Sequence, residues 1–311
     1  MKLAFLFPGQ GSQKVGMVHD LYEKYDAVKN IIKEADETLG FSISKMMFEG
    51  PDSELMKTEF TQPAILTASV ACWKVLAENG IHPDVAAGHS LGEYSALVAA
   101  GAMSFGDAVH TVHLRGKFMQ EAVPLGEGGM AAIIGLDPEK IVAICETVSK
   151  TEGPVQAVNF NCPGQTVIAG ATKAVETACA ALKDGGAKRA ILLNVSAPFH
   201  STLMEPAAER LKEVLDTIEI KDAAIPVVAN VNAKEETCAA DIRENLVQQA
   251  AHAVHWEESV RYMIGEGYDT FVEAGPGTVL SGFMRKIDRK QKSLHAEGVE
   301  TIQNVIDTLK A

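Results

Sequence analysis

The 311-residue sequence is poor in covalent cross-linking potential, in basic charge and in long apolar runs. Its five cysteines, Cys72, Cys145, Cys162, Cys179 and Cys238, are odd in number and include no CxxC pair. This usage fits a reducing cytoplasm and argues against a disulfide scaffold or a zinc site. No apolar run approaches the roughly 20 residues of a membrane-spanning helix. The opening MKLAFLFPGQGSQ has one lysine, and its short apolar run is broken by Pro8 and Gly9. A signal peptide is therefore not expected, and residues 3–7 read as a buried strand. The 28 Lys and Arg are outnumbered by 41 Asp and Glu, a net charge of −13. That balance excludes nucleic acid as an expected partner, because phosphate binding needs a basic surface. Repeats, low-complexity tracts and linkers are also missing.

What is present is ordinary globular composition, with 47% hydrophobic and 22% charged residues. The length suits roughly two domains, or one large domain with an insert. Helical and strand patterns alternate, which predicts an α/β fold. The spacing predicts a helix over 62–79, with Thr61 as its cap, Pro63 in its first turn and Gly80 beyond its end. A short strand over 84–87 then leads into a small-residue helix from Gly92 to Ala100. Ser104 and Asp107 form a capping-box pattern that opens a helix to about Glu121.

Past the Gly-rich stretch at 126–129 the rhythm becomes strand (130–136), helix (138–150), strand (155–159), strand (166–169), helix from a Thr172 cap to Gly185, and strand (190–195). That β-α-β-β-α-β order is ferredoxin-like and self-contained. It predicts a small inserted domain at 126–196, with the Gly-rich entry as its hinge. The outer segments, 1–125 and 197–311, are expected to form one large domain around a parallel sheet. Its later elements are a helix from Glu205, a strand at 226–231, helices near 241–250 and 257–265, a strand at 270–274 and a last helix after Gly277.

Gly88-His89-Ser90-Leu91-Gly92 is a GxSxG motif between a predicted strand and a predicted helix, the setting of a nucleophile elbow. The turn lifts the Ser90 hydroxyl out of the sheet at the positive end of the helix. The Leu91 amide then points to where an oxyanion would form. Serine needs a base. His89 adjoins it, but neighbours on a sharp turn point apart. His110 with His113, and His252 with His255, lack an HExxH context, so packed or solvated roles are expected for them. His200, in a loop after the last strand of the insert, stands where α/β folds collect chemistry. Arg115 shares a helix face with Ala108, Val112 and Met119. A charge on an apolar stripe needs an anion: an internal carboxylate, or a substrate carboxylate held in bidentate fashion. The loop after the first strand, Phe7-Pro8-Gly9-Gln10-Gly11-Ser12, is no Walker loop. It reads as a tight turn, or as the source of a second oxyanion donor.

Together these motifs resemble the malonyl-CoA:acyl-carrier-protein transacylases of bacterial fatty-acid synthesis and the related acyltransferase domains of polyketide synthases. The matching stretches are FPGQGSQ (7–13), TQPAI (61–65), GHSLGEYSALVAAG (88–101), HLRGKFMQEA (113–122), GGMAAIIGL (128–136), NFNCPGQTVIAG (159–170), VSAPFHSTLM (195–204) and FVEAGPGTVLSGF (271–283). The resemblance implies a hydrolase-like α/β domain carrying a ferredoxin-like one. It implies Ser90 as nucleophile, His200 as base, and Gln10 and Leu91 as oxyanion-hole amides. Arg115, Phe199 and His89 fall among the implied substrate-binding residues. Arg115 would bind the malonyl carboxylate, and the Phe199 ring would crowd an α-methyl group, a modest discrimination. In the family, the main-chain carbonyl of a glutamine opening a QxxxPVxW motif orients the histidine. Gln249 and Trp256 match that motif here, but Ala253 replaces the proline, which implies a less rigid loop.

The implied reaction is double displacement through malonyl-serine, with CoA and phosphopantetheine as substrates and neither metal nor redox cofactor. Acyl carrier protein is acidic, so docking on this acidic chain needs a local basic patch. Lys188 with Arg189, and Arg285 and Lys286 with Arg289 and Lys290, are the candidates; the alternative is ordinary solvated clusters. A cytoplasmic monomer is expected. A stand-alone acyltransferase serving a polyketide synthase has the same chemistry and stays open. A serine thioesterase shares the elbow but normally has its histidine near the C-terminus. A non-catalytic module would be expected to have lost serine, histidine or arginine.

Overall fold

The computed structural model describes residues 1–195 and 197–311. Ten strands are described: β1 (Leu3–Phe7), β2 (Val85–Gly88), β3 (Gly128–Ile134), β4 (Val155–Cys162), β5 (Gln165–Ala171), β6 (Arg189–Leu192), β7 (Val227–Val228), β8 (Glu235–Glu236), β9 (Thr270–Ala274) and β10 (Lys292–Ala296). They form two sheets. The larger has the order β10-β9-β1-β2-β7-β8, parallel except for the β7–β8 hairpin. The smaller is antiparallel, with the order β4-β5-β3-β6. The expected α/β class, with a parallel sheet and a ferredoxin-like unit, is the observed one.

β1 is buried along its whole length, as a strand covered on both faces must be. Its side chains alternate between two cores. Leu3, Phe5 and Phe7 join one face, Ala4 and Leu6 the other. The small sheet behaves similarly. Ala131, Ile133 and Ile168 pack on the helices Pro138–Glu152 and Thr172–Asp184 through Ile141, Cys145, Val175 and Ala178. Met130, Ala132, Val167 and Ala169 face the other way and join the core of the large unit. The small sheet therefore roofs the large one rather than hanging beside it.

Several local expectations are corrected. Residues 14–57, unassigned from sequence, hold the helices His19–Lys24, Asp26–Leu39, Ile43–Glu49 and Asp52–Leu55. The next helix begins a turn early, at Thr58, so Thr61 lies inside it and bonds back to the Leu55 carbonyl. Thr172 is the first residue of its helix rather than the cap, and its hydroxyl reaches the Gly126 carbonyl. β3 begins at Gly128 rather than 130, and Gly126 of the same stretch is left-handed. The strand expected at 226–231 shrinks to two residues because the chain turns into the β7–β8 hairpin. The helix after Gly277, Val279–Ile287, is followed by β10 and the helix Val299–Lys310. Ser104 and Asp137 do cap their helices through side-chain oxygens.

Candidate active site

The elbow is built by close packing. β2 ends at Gly88, and the helix Gly92–Ala99 starts two residues after Ser90. A methyl group on Gly88 would overlap the Gly92 backbone, and one on Gly92 would overlap the Phe7 carbonyl. Only glycine lets the helix sit this close to β1 and β2. Ser90 is held at φ 53°, the left-handed region that an L-residue enters at a cost, and His200 sits at φ 62°.

Ser90 Oγ lies 2.7 Å from His200 Nε2. His200 Nδ1 lies 2.7 Å from the Gln249 carbonyl. A carbonyl only accepts, so Nδ1 carries the ring proton and the Nε2 lone pair faces the serine. Burial and then the Arg115 charge push the His200 pKa down to about 3. The imidazole is therefore neutral and ready to accept the serine proton.

Arg115 is buried with Ala108, Val112 and Met119, as its helix face predicts. No internal carboxylate pairs with it among the described residues. Its Nη1 donates to Gln62 Oε1 (2.8 Å), and its Nη2 to Gln249 Oε1 (2.9 Å) and Ser90 Oγ (3.2 Å). The guanidinium lies 5.7 Å from the Tyr94 ring centre. A buried cation with neutral partners, aimed at a serine hydroxyl, is suited to an incoming anion.

Ser90, His200, Arg115, Leu91, Gln10, His89 and Phe199 line one cavity of about 110 Å³, with Met119, Met130 and Leu193 as apolar wall. A wider cleft of about 830 Å³ adjoins it and shares Gln10 and Val195. The His89 ring is bonded elsewhere: its Nε2 meets Asn161 Oδ1 at 2.8 Å and its ring packs on Trp256. Burial lowers its pKa. His113 packs against Phe41 and Phe60, and His252 meets the Gln248 carbonyl from an exposed position. No group of His, Cys, Asp and Glu suited to a metal occurs among the described residues.

Three contributors were not singled out from sequence. Gln62 and Asn161 sit in recognisable stretches, but nothing in their spacing marks a role. Asn230 carries no local signal. Its side-chain oxygen accepts the Ser90 N–H (2.7 Å), and its amide donates to the Gly88 carbonyl (2.7 Å). Ser196, within the VSAPFHSTLM stretch and at the expected domain edge, lies outside the described residues. Lys188, Arg189, Arg285, Lys286, Arg289 and Lys290 are all exposed, and Arg285, Lys286 and Arg289 border a shallow groove. Ala253 stands where the family has proline, yet the next residue is pinned: Val254 exchanges backbone hydrogen bonds with Val158 and Phe160 of β4 (2.8 and 3.0 Å).

The model of the acyl transferase domain family matches residues 4–305. The malonyl CoA-acyl carrier protein transacylase of Bacillus subtilis is 55% identical over 99% of this chain and 98% of its own. The chain belongs to the malonyl-CoA:acyl-carrier-protein transacylase family. A transacylase of that name from Coxiella burnetii superposes with a TM-score of 0.97 at 41% identity, covering 100% of this chain and 98% of that one. A malonyl-transacylase solved with its type II polyketide acyl-carrier protein superposes at 0.96 with 45% identity, covering 99% of this chain and 100% of that one. As a family member, the chain is an acyltransferase. Among the described residues no helix is long and apolar enough to cross a membrane.

Proposed function

We propose that this chain moves the malonyl group of malonyl-CoA to the phosphopantetheine thiol of acyl carrier protein, in the cytoplasm and for fatty-acid synthesis. The observation that carries the reading is the Ser90–His200 contact of 2.7 Å beside a buried, carboxylate-free Arg115. His200 Nε2 takes the Ser90 proton as Oγ attacks the thioester carbonyl. The oxyanion rests on the amides of Leu91 and Gln10. The tetrahedral centre collapses, the C–S bond breaks, and the imidazolium returns its proton to the CoA thiolate. The carrier thiol then repeats the sequence on malonyl-serine, regenerating Ser90.

In this reading Arg115 turns from Ser90 and Gln249 to the malonyl carboxylate. Phe199, 8% exposed on the cavity wall, disfavours an α-methyl branch. His89 shapes the wall beside the thioester, and the Gln249 carbonyl holds the histidine tautomer. Serine, histidine and backbone amides supply every step, so no metal or redox cofactor is required. The enzyme acts as a monomer, with segments 1–125 and 197–311 as the catalytic domain and 126–196 as the small domain over it.

The test is intact-protein mass after brief mixing with malonyl-CoA alone. A malonyl adduct is expected on the parent chain and not on Ser90→Ala. CoA release without any adduct would replace transfer by thioester hydrolysis.

A further inference from the structure

The buried acid nearest the elbow in sequence has no task in the reaction. Glu93 lies three residues after the nucleophile, in the first turn of the helix that Ser90 precedes, and it is 0% exposed. Its Oε2 accepts the Asn230 backbone N–H at 2.8 Å, and its Oε1 has no partner. Asn230 is itself wholly buried, in the turn of the β7–β8 hairpin. Its carbonyl accepts from His255 N (2.9 Å), and its side chain grips the elbow from both sides, at Gly88 O and Ser90 N. Gln249 closes the ring: its Nε2 donates to the Ser90 carbonyl (2.8 Å) and reaches Asn230 Oδ1 (3.4 Å).

We propose that Glu93 is a positioning residue, acting through Asn230 to hold the Ser90 backbone in its left-handed, attack-ready conformation. The proposal rests on Ser90 being the nucleophile, as argued above. Helix packing alone does not call for a carboxyl here, since a buried polar group costs free energy unless bonded and an apolar side chain would fill the same space. What the carboxyl adds is an acceptor at one point, under the residue that bonds both ends of the elbow. Without it the Asn230 N–H is buried and unpaired, and the residue shifts to find another partner. Ser90 φ is unfavourable in isolation, so a looser clamp lets the serine relax away from His200.

Burial, and next the carboxyl of Glu236 on the returning strand β8, push the Glu93 pKa well above the ordinary carboxyl range. The hydrogen bonds from Asn230 and Gln249, and after them the Arg115 charge, pull the other way. What Asn230 uses is one oxygen acceptor, and a carboxamide of the same size keeps one there. Glu93→Gln keeps an oxygen for Asn230; Glu93→Met keeps the volume and removes it.

The experiment is stopped-flow release of CoA from malonyl-CoA by the full chain, giving the acylation rate and the half-saturating concentration, with a melting curve for each variant. Glu93→Met is expected to lower the maximal rate on the order of 10- to 100-fold at unchanged half-saturation. Glu93→Gln is expected to stay within about threefold of the parent, because it keeps an acceptor oxygen for the Asn230 N–H. Asn230→Ala should reproduce the loss, and Glu93→Met added to it should cost little more, because Glu93 reaches the elbow only by way of the Asn230 side chain. A parental rate in folded Glu93→Met, or additive losses in the double variant, overturns the proposal. So does a Gln variant as slow as the Met one, which would make charge the essential property. If Glu93→Met does not fold, a parental rate in Asn230→Ala overturns it equally. Absence of acylation in the parent chain would instead sink the transfer reaction itself.

Discussion

Ser90 and His200 both occupy left-handed backbone, and groups distant in sequence hold the Ser90 N–H and the His200 ring. The motif and the resemblance pointed to Ser90, His200, Arg115 and Gln249, because a glycine-framed turn, a post-strand loop and a charge on an apolar helix face are local signals. Asn230, Gln62 and Glu93 were not legible, since a polar residue's task depends on which partner the fold brings to it. The His200 pKa of about 3 has a direct kinetic consequence. The acid limb of kcat/KM should lie well below the ordinary imidazole range near 6.5. Arg115 is the second cause of that depression, and its loss raises the pKa. In Arg115→Ala, assayed with acetyl-CoA, the acid limb should therefore move to higher pH, while burial still holds it below 6.5. An unmoved limb would mean that the guanidinium is not felt at the imidazole.

The elements were readable where burial is periodic or capping is done by side chains, as at β1, β9, Ser104 and Asp137. They were less readable where helices lack such caps, as at His19–Lys24 and Thr58–Glu78. The buried stripe Val28, Ile31, Ile32 and Ala35 has helical spacing, yet its helix follows the previous one after a single residue, Tyr25, with no loop to announce it. The elbow is an element-scale object, and its glycines are set by backbone contact rather than by chemistry. Gly92→Ala should cost about 1–3 kcal/mol, the range for overpacking a tight interior. Urea titration reads this as a lower midpoint. Ser104→Ala, which removes a cap far from the elbow, should cost about 1 kcal/mol without changing the acylation rate. A Gly92→Ala chain as stable as the parent would show that the helix can move off β1 freely.

For the molecule as a whole, the charge of −13 makes an acidic partner an electrostatic problem. The exposed row Arg285, Lys286, Arg289 and Lys290 sits at and beyond the end of one helix, where it offers the opposite local sign. Lys286→Glu is expected to slow transfer to carrier protein several-fold while leaving CoA release from malonyl-CoA unchanged. Equal loss in both half-reactions would remove this surface as the docking site. The two-sheet layout was legible because a β-α-β-β-α-β run closes on itself. That its second face would merge with the main core was not, because nothing along β3 or β5 says what covers it.

The Val254 pairing with β4 gives that layout a mechanical meaning. One edge of the small sheet and the loop just after Gln249 share a backbone ladder. Rigid-body tilting of the roof would drag on the carbonyl that orients the imidazole, unless two hydrogen bonds broke first. The ladder is thus a fixed edge, and it lies on the side of the small sheet that carries the imidazole's anchor.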